Sequence, residues 1–282
     1  MSRSTTLTTL LLISQTLYSS SFLIFNPIKP LSFLYVYHLG FLFLLLIYQL
    51  VTLVTLLPSH RPRPTPRHRR STPTRLLIVL GSGGHTAEML AMLQKVRLED
   101  YSYRSWVVSS GDEVSAKRVV EVEHAIKSQH RNDGAGGGTY ANGLERLEKS
   151  SNGLYDIKVL PRARRIHQSL LTTPLSCLWT LVKAFPVLLQ PEIPDLILVN
   201  GPATATIVVF ASLVLRFFNI RGCNSRGKMR TVYVESWARV KRLSLSGWLL
   251  CGVVDRCLVQ WDGLEGKKGL FGGRAEYLGT LV

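Results

Sequence analysis

Three short stretches of this 282-residue chain gather the residue types that hold phosphates and move protons. They are Gly81-Ser-Gly-Gly-His-Thr86, Asn200-Gly-Pro-Ala-Thr204 and Glu235-Ser-Trp-Ala-Arg239. Glycine-loop N–H groups and hydroxyls suit anionic oxygens, which makes Ser82, Gly83, Gly84, Thr86, Asn200, Gly201, Thr204 and Ser236 candidate phosphate or acceptor ligands. Arg239 adds a cation. His85 is the candidate base because an imidazole titrates near neutrality, and Glu235 is a second acid/base candidate. Together they suit a phosphorylated substrate and a proton-transfer step.

Each residue also has a plainer reading. His85 at a helix start can simply cap it, Asn200-Gly-Pro is an ordinary turn, and Glu235 can cap its loop or pair with Arg239. The basic run Arg162, Arg164, Arg165 reads as a solvated or lipid-facing surface. The first loop also departs from known phosphate motifs: Thr86 stands where the dinucleotide fingerprint needs its last glycine or alanine, and no Walker lysine follows. No metal-ligand spacing is present.

The elements that must position these loops follow from the apolar pattern. Leu76 to Leu80 is an unbroken apolar run ending in glycines and leading into a helical pattern from about Thr86, as expected of a strand covered on both faces. Further strands are expected at 104–109, 155–160, 195–199, 231–234 and 256–260. Helices are expected between them: after a capping Asp112 to about Ile126, over 169–190 with breaks at Pro174 and Pro186, over 205–218, and over 245–254. Six such units make one doubly wound α/β sheet, and the polar residues above fall at its strand ends. The helix at 205–218 reads as buried between sheet and neighbour, whereas 169–190, with Trp179 and Lys183, suits either a buried or an interfacial position. Tyr277 to Val282 reads as a docking strand for a partner or an edge strand on its own sheet.

The amino-terminal quarter differs in kind. Residues 31–57 carry no charge and exceed the ~20 residues that a helical span needs. A second uncharged segment, 7–25, fits a span, an interfacial helix or the h-region of a signal sequence. The formal charge is +16, and His60-Arg-Pro-Arg-Pro-Thr-Pro-Arg-His-Arg-Arg70 follows the span, which places the rest on the cytosolic side. The organisation expected is a membrane anchor over 1–58, a basic Pro/Arg linker over 59–75, and one domain over 76–282 with a flexible polar insertion at 128–153. Four cysteines show no disulfide or zinc framework and suit a reducing compartment. No nucleic-acid motif accompanies the basic charge, so nucleic acid is not an expected partner.

These motifs carry a family resemblance. Gly81-Ser-Gly-Gly-His-Thr-Ala-Glu-Met89, Pro161-Arg-Ala-Arg164, Asn200-Gly-Pro202, Tyr233-Val-Glu-Ser236 with Arg239, Leu243-Ser-Leu-Ser-Gly247, Val259-Gln-Trp261 and Tyr277-Leu-Gly279 recur in order. From residue 76 onward the chain resembles the membrane-anchoring subunit of the eukaryotic two-chain UDP-N-acetylglucosamine transferase. The resemblance implies the acceptor-side, Rossmann-like half of a split GT-B glycosyltransferase, with a soluble catalytic subunit completing the site. It implies UDP-N-acetylglucosamine as donor, no permanently bound cofactor, and dolichyl-diphosphate-linked N-acetylglucosamine as acceptor. The step implied is the second of N-glycan precursor assembly, a β-1,4 transfer on the cytosolic face of the endoplasmic reticulum. The nuclear envelope as a further location and the enzyme of the preceding step as a further partner are compatible with it.

Chain length independently agrees with a half-enzyme, since residues 76–282 suffice for one doubly wound domain and not two. Two other classes are weighed against this. One is a pure membrane scaffold; the other is a membrane-tethered nucleotide-dependent oxidoreductase with Asp112 on a ribose. A polytopic transporter does not fit the charged strand–loop–helix pattern after residue 76.

Overall fold

The computed structural model describes residues 14, 31–56, 74–133, 154–164, 168–169, 171–201 and 203–282. Apart from Ser14, the apolar segment 7–25 lies outside the described residues, as do the basic run 60–70, the stretch 134–153, Arg165 and Pro202. The chain opens with helix α1 (Leu31–Leu56) and continues into β1 (Arg75–Val79), α2 (Gly84–Leu93), β2 (Tyr103–Ser109), α3 (Glu113–Asp133) and β3 (Leu154–Leu160). Then follow α4 (Thr173–Leu188), β4 (Leu196–Asn200), α5 (Thr204–Phe217), β5 (Arg230–Val234), α6 (Leu245–Leu250), β6 (Arg256–Val259) and β7 (Glu276–Tyr277).

The strands form one sheet in the order β3-β2-β1-β4-β5-β6-β7, with every pairing parallel. This is the expected doubly wound, Rossmann-like architecture. Alternation along β1 shows why both faces need cover: Leu77 and Val79 join a core with Ala184 and Leu188 of α4 and Val208 and Val209 of α5. Leu76 and Ile78, with Leu80 just beyond the strand, join a second core with Met89 of α2 and Val119 of α3. Because the chain reverses its winding between β1 and β4, the carboxyl ends of those strands border a crevice, where α/β sheets bind ligands.

Several boundaries differ from the sequence expectation. Asp112 does cap α3, its carboxylate accepting from Ser115 N at 3.1 Å, but the helix runs on to Asp133, so 128–133 is helical. Pro174 opens α4 instead of breaking it, since the first helical turn has no N–H bond to lose. Pro186 sits in the last turn, where only one bond is forfeited, and the helix continues to Leu188. Helix α6 ends at Leu250 and gives way to turns. The closing strand, Glu276–Tyr277, pairs with β6 of its own sheet.

Helix α5 is the buried helix expected, with Ala205, Val208, Val209 and Ala211 nearly inaccessible. Helix α4 buries Thr180, Ala184 and Leu188, packs Leu181, Phe185 and Val187 partly against the core, and leaves Leu175, Leu178, Trp179 and Val182 exposed, with Lys183 Nζ 4.8 Å from the Trp179 ring centre. Helix α1 is long and apolar enough to cross a membrane. Its carboxyl half lies beside α5, where Leu46, Leu50 and Leu53 share a groove with Leu213, Val214 and Phe217.

Two buried ion networks tie the sheet to its helices. Arg104 of β2 meets Glu123 of α3 through two hydrogen bonds, at 2.8 and 2.6 Å, with both side chains inaccessible. Asp255, just before β6, accepts from Arg216, Arg230 and the Thr231 backbone. Burial pushes the Asp255 carboxyl up, but Arg216, the Thr231 N–H and Arg230 outweigh it and hold it below its ordinary 3.8. A folded-state value below the unfolded one stabilises the fold above the ordinary value, and that stabilisation drains away as pH falls through the folded value. Asp255→Asn is therefore expected to melt at lower temperature than the parent at pH 7, with the gap narrowing as pH drops below about 4. A gap that stays constant in melts from pH 7 to pH 3 would remove Asp255 from this role.

Candidate functional site

The loop after β1 is shaped by what it leaves out. Gly83 has φ 63°, a left-handed conformation that glycine adopts without strain, and a Cβ there or at Gly84 would point into open space. Helix α2 begins at Gly84 with no side-chain cap, so its first N–H groups face the loop as an anion seat. The neighbouring helix α5 likewise starts after Ala203 without a side-chain cap. Two uncapped helix starts thus stand on adjacent strands at the crevice.

His85 is wedged between two glycines. A Cβ at Gly81 would lie 2.6 Å from His85 Cβ, and one at Gly201 (φ 93°) would lie 3.2 Å from His85 Cγ. Those glycines at the ends of β1 and β4 make the slot for the imidazole, which stays partly accessible at 31%. Its Nδ1 lies 3.3 Å from Glu88 Oε2 one turn along α2. Glu88 is the residue that sequence reading passed over: its Oε2 also accepts from Asn200 Nδ2 at 3.2 Å. Its Oε1 accepts from Ser236 Oγ and from the Trp237 backbone N–H, each at 2.9 Å. The one available signal was its spacing from His85, which places both on one helix face.

The predicted residues therefore separate. His85, Asn200, Gly201 and Ser236 come together around Glu88, and Ser82, Gly83 and Gly84 line the open loop beside them. Thr86 instead turns inward, 1% exposed, with its hydroxyl on the Gly81 carbonyl and 2.7 Å from Ser115 Oγ. It ties the loop to α3. Thr204 is buried with Ser109 Oγ and Ala163 N at 3.4 Å, at the start of α5. Arg239 is exposed on the turn that Ser236 begins. Arg162 donates to the Ser110 carbonyl, and Arg164 is exposed.

Glu235 is 1% exposed and its carboxylate is taken by its own loop, not by Arg239. It accepts from Tyr233 OH, Ser236 N, Ser244 N and Ser244 Oγ. Burial, then the Glu235 charge, pushes the Tyr233 hydroxyl far above its ordinary value, which keeps it a donor to that carboxylate. Asp112 caps its own helix, with one oxygen on the Ser115 N–H and the other on the Ser115 hydroxyl. Beside the cluster, Trp237 is 47% exposed, and its carbonyl accepts from Trp261 Nε1 at 2.7 Å. The two indoles lie 5.5 Å apart and present an aromatic shelf at the ends of β5 and β6. Among the described residues no group of three or more His, Cys, Asp or Glu side chains is placed to hold a metal ion.

A family model described as "Oligosaccharide biosynthesis protein Alg14 like" matches residues 76–281. The chain is 40% identical over 236 residues to the UDP-N-acetylglucosamine transferase subunit alg14 of Aspergillus fumigatus, covering 69% of this chain and 100% of that relative. Against the subunit of the same name from Schizosaccharomyces pombe it is 36% identical over 226 residues, covering 79% and 88%. Against that of Mus musculus it is 34% identical over 208 residues, covering 74% and 83%. No solved structure matches the chain. The matched residues span the whole sheet and the His85–Glu88 cluster at its switch point, and the chain belongs to the Alg14 family of UDP-N-acetylglucosamine transferase subunits.

Proposed function

We propose that this chain supplies the acceptor-side half of a split glycosyltransferase, which transfers N-acetylglucosamine from UDP-N-acetylglucosamine to dolichyl-diphosphate-linked N-acetylglucosamine with a β-1,4 linkage. The observation that carries the reading is a partly accessible imidazole beside two uncapped helix starts, at the switch point of the one nucleotide-type sheet among the described residues. The seat suits the acceptor's diphosphate, with the Gly83 and Gly84 amides and the α5 start as donors. The exposed Trp237 ring offers an apolar face to the acceptor sugar.

In the transfer the acceptor hydroxyl gives its proton to His85 while its oxygen bonds to the sugar's anomeric carbon. The bond to UDP breaks, and UDP departs with the electron pair. Preorganised donors for that leaving group come from the soluble partner subunit, because this sheet has one crevice and the acceptor fills it. Glu235 and Thr86 act indirectly by holding the loops.

Helix α1 anchors the pair on the cytosolic face of the endoplasmic reticulum, and the exposed apolar face of α4 rests against the same bilayer. Tethering raises the local concentration of both halves near a lipid substrate. The test is reconstitution: chain and partner together elongate the glycolipid, and each alone does not. Full activity of the partner alone on detergent-solubilised acceptor would reduce this chain to a scaffold. A chain beginning at Arg75 is expected to bind its partner yet leave it soluble; finding the partner on membranes regardless would defeat the anchoring role.

A further inference from the structure

We infer that Glu88 is the positioning residue of the site, holding His85 in the tautomer whose Nε2 is free to take a proton and locking that imidazole to the ends of β4 and β5. The inference rests on the acid/base reading of His85. A carboxylate only accepts hydrogen bonds, so the Nδ1 of a neutral imidazole 3.3 Å from Glu88 Oε2 carries the proton. The lone pair then lies on Nε2. The other contacts of Glu88 keep the carboxylate from moving: Oε1 takes the Trp237 N–H and the Ser236 hydroxyl, and Oε2 takes Asn200 Nδ2. The side chain is only 16% accessible, so water competes little for these oxygens. Three strand ends far apart in the chain are thus referred to one carboxylate, which sets where the base sits relative to the anion seat and the tryptophan shelf.

The isosteric variant Glu88→Gln separates this from a loop tie. The glutamine oxygen is needed by the Trp237 N–H, which can only donate, so the new NH2 group faces Asn200 and His85. Asn200 can turn its amide to answer, because its Oδ1 is buried with no hydrogen-bond partner. His85 then has to accept at Nδ1 and carry its proton on Nε2, which removes the base while preserving the loops.

The experiment uses the full chain assembled with its partner subunit in detergent and labelled with 15N-histidine. Long-range 1H–15N spectra report the tautomer, with the His85 signals identified by their loss in His85→Gln. The parent is expected to show Nδ1–H and Glu88→Gln to show Nε2–H. Transfer assays are expected to show kcat lower by roughly 10–100-fold in Glu88→Gln, with the acceptor KM within about threefold. Glu88→Asp keeps a charged acceptor and is expected to retain Nδ1–H and recover part of the rate; equal damage by Gln and Asp would overturn the inference. An unchanged tautomer, or a raised KM at parental kcat, would overturn it as well. A shifted tautomer in Glu88→Gln together with near-normal turnover in His85→Gln would leave the positioning intact and sink the acid/base reading instead.

Discussion

His85→Ala is expected to lower turnover of the assembled complex at least ~100-fold, the usual contribution of a general base, while partner binding and the acceptor KM change little. The reason lies in where the imidazole is held. Its walls are Gly81 and Gly201, so truncation empties a slot without moving the sheet beneath it. The neighbouring backbone amides of Gly83 and Gly84, proposed above as donors to the acceptor's diphosphate, are left in place by alanine at 85. Loss should therefore fall on the chemical step and not on binding. Initial rates with saturating glycolipid, alongside co-purification of the partner, separate the two. Near-parental kcat would make His85 a structural plug between two glycines.

The second large effect concerns stability. Glu123→Leu is expected to destabilise the folded chain by about 3–5 kcal/mol, because it takes away the carboxylate that neutralises Arg104 in a site with no solvent access. Trp106 Nε1 loses its 2.8 Å acceptor in the same step. That loss is a large part of a typical domain's 5–15 kcal/mol, roughly speaking, so the variant should melt well below the parent. The double variant Arg104→Met/Glu123→Leu is expected to recover much of it, since two apolar side chains of similar volume carry no charge to desolvate. Thermal melts followed by tryptophan fluorescence test both, and a double variant no better than the single one would show that the charges themselves stabilise β2 against α3.

Much of this protein is legible in the order of its residues. The apolar run Leu76 to Leu80 with its glycines marked a buried parallel strand and its phosphate-type turn, and the polar residues after β1, β4 and β5 marked the crevice. Length and charge-free composition set apart α1, whose Leu31–Leu56 helix lies within the expected span. These features are local: strand periodicity, glycine turns and hydrophobic length all act over a few residues. The resemblance read from the ordered motifs belonged to the same family that the relatives establish.

What local pattern did not carry was the direction each polar side chain takes. Thr86 and Glu235 stand in the same motifs as His85 and Ser236, yet they turn into the fold and tie loops together. Arg104 interrupts a strand pattern because its partner is on the helix that follows. The role of Glu88 is hidden from local pattern for a related reason. Its meaning comes from Asn200 and Ser236, 112 and 148 residues further on, which the winding of the sheet delivers to one carboxylate.

Sequence alone determined the one-sheet architecture, the apolar leader and the set of loops from which a site is built, because these depend on the order of residue types along the chain. Tertiary structure decided which members of those loops face a ligand and which face each other. That choice is made by hydrogen-bond satisfaction among groups brought together only when parallel strands align.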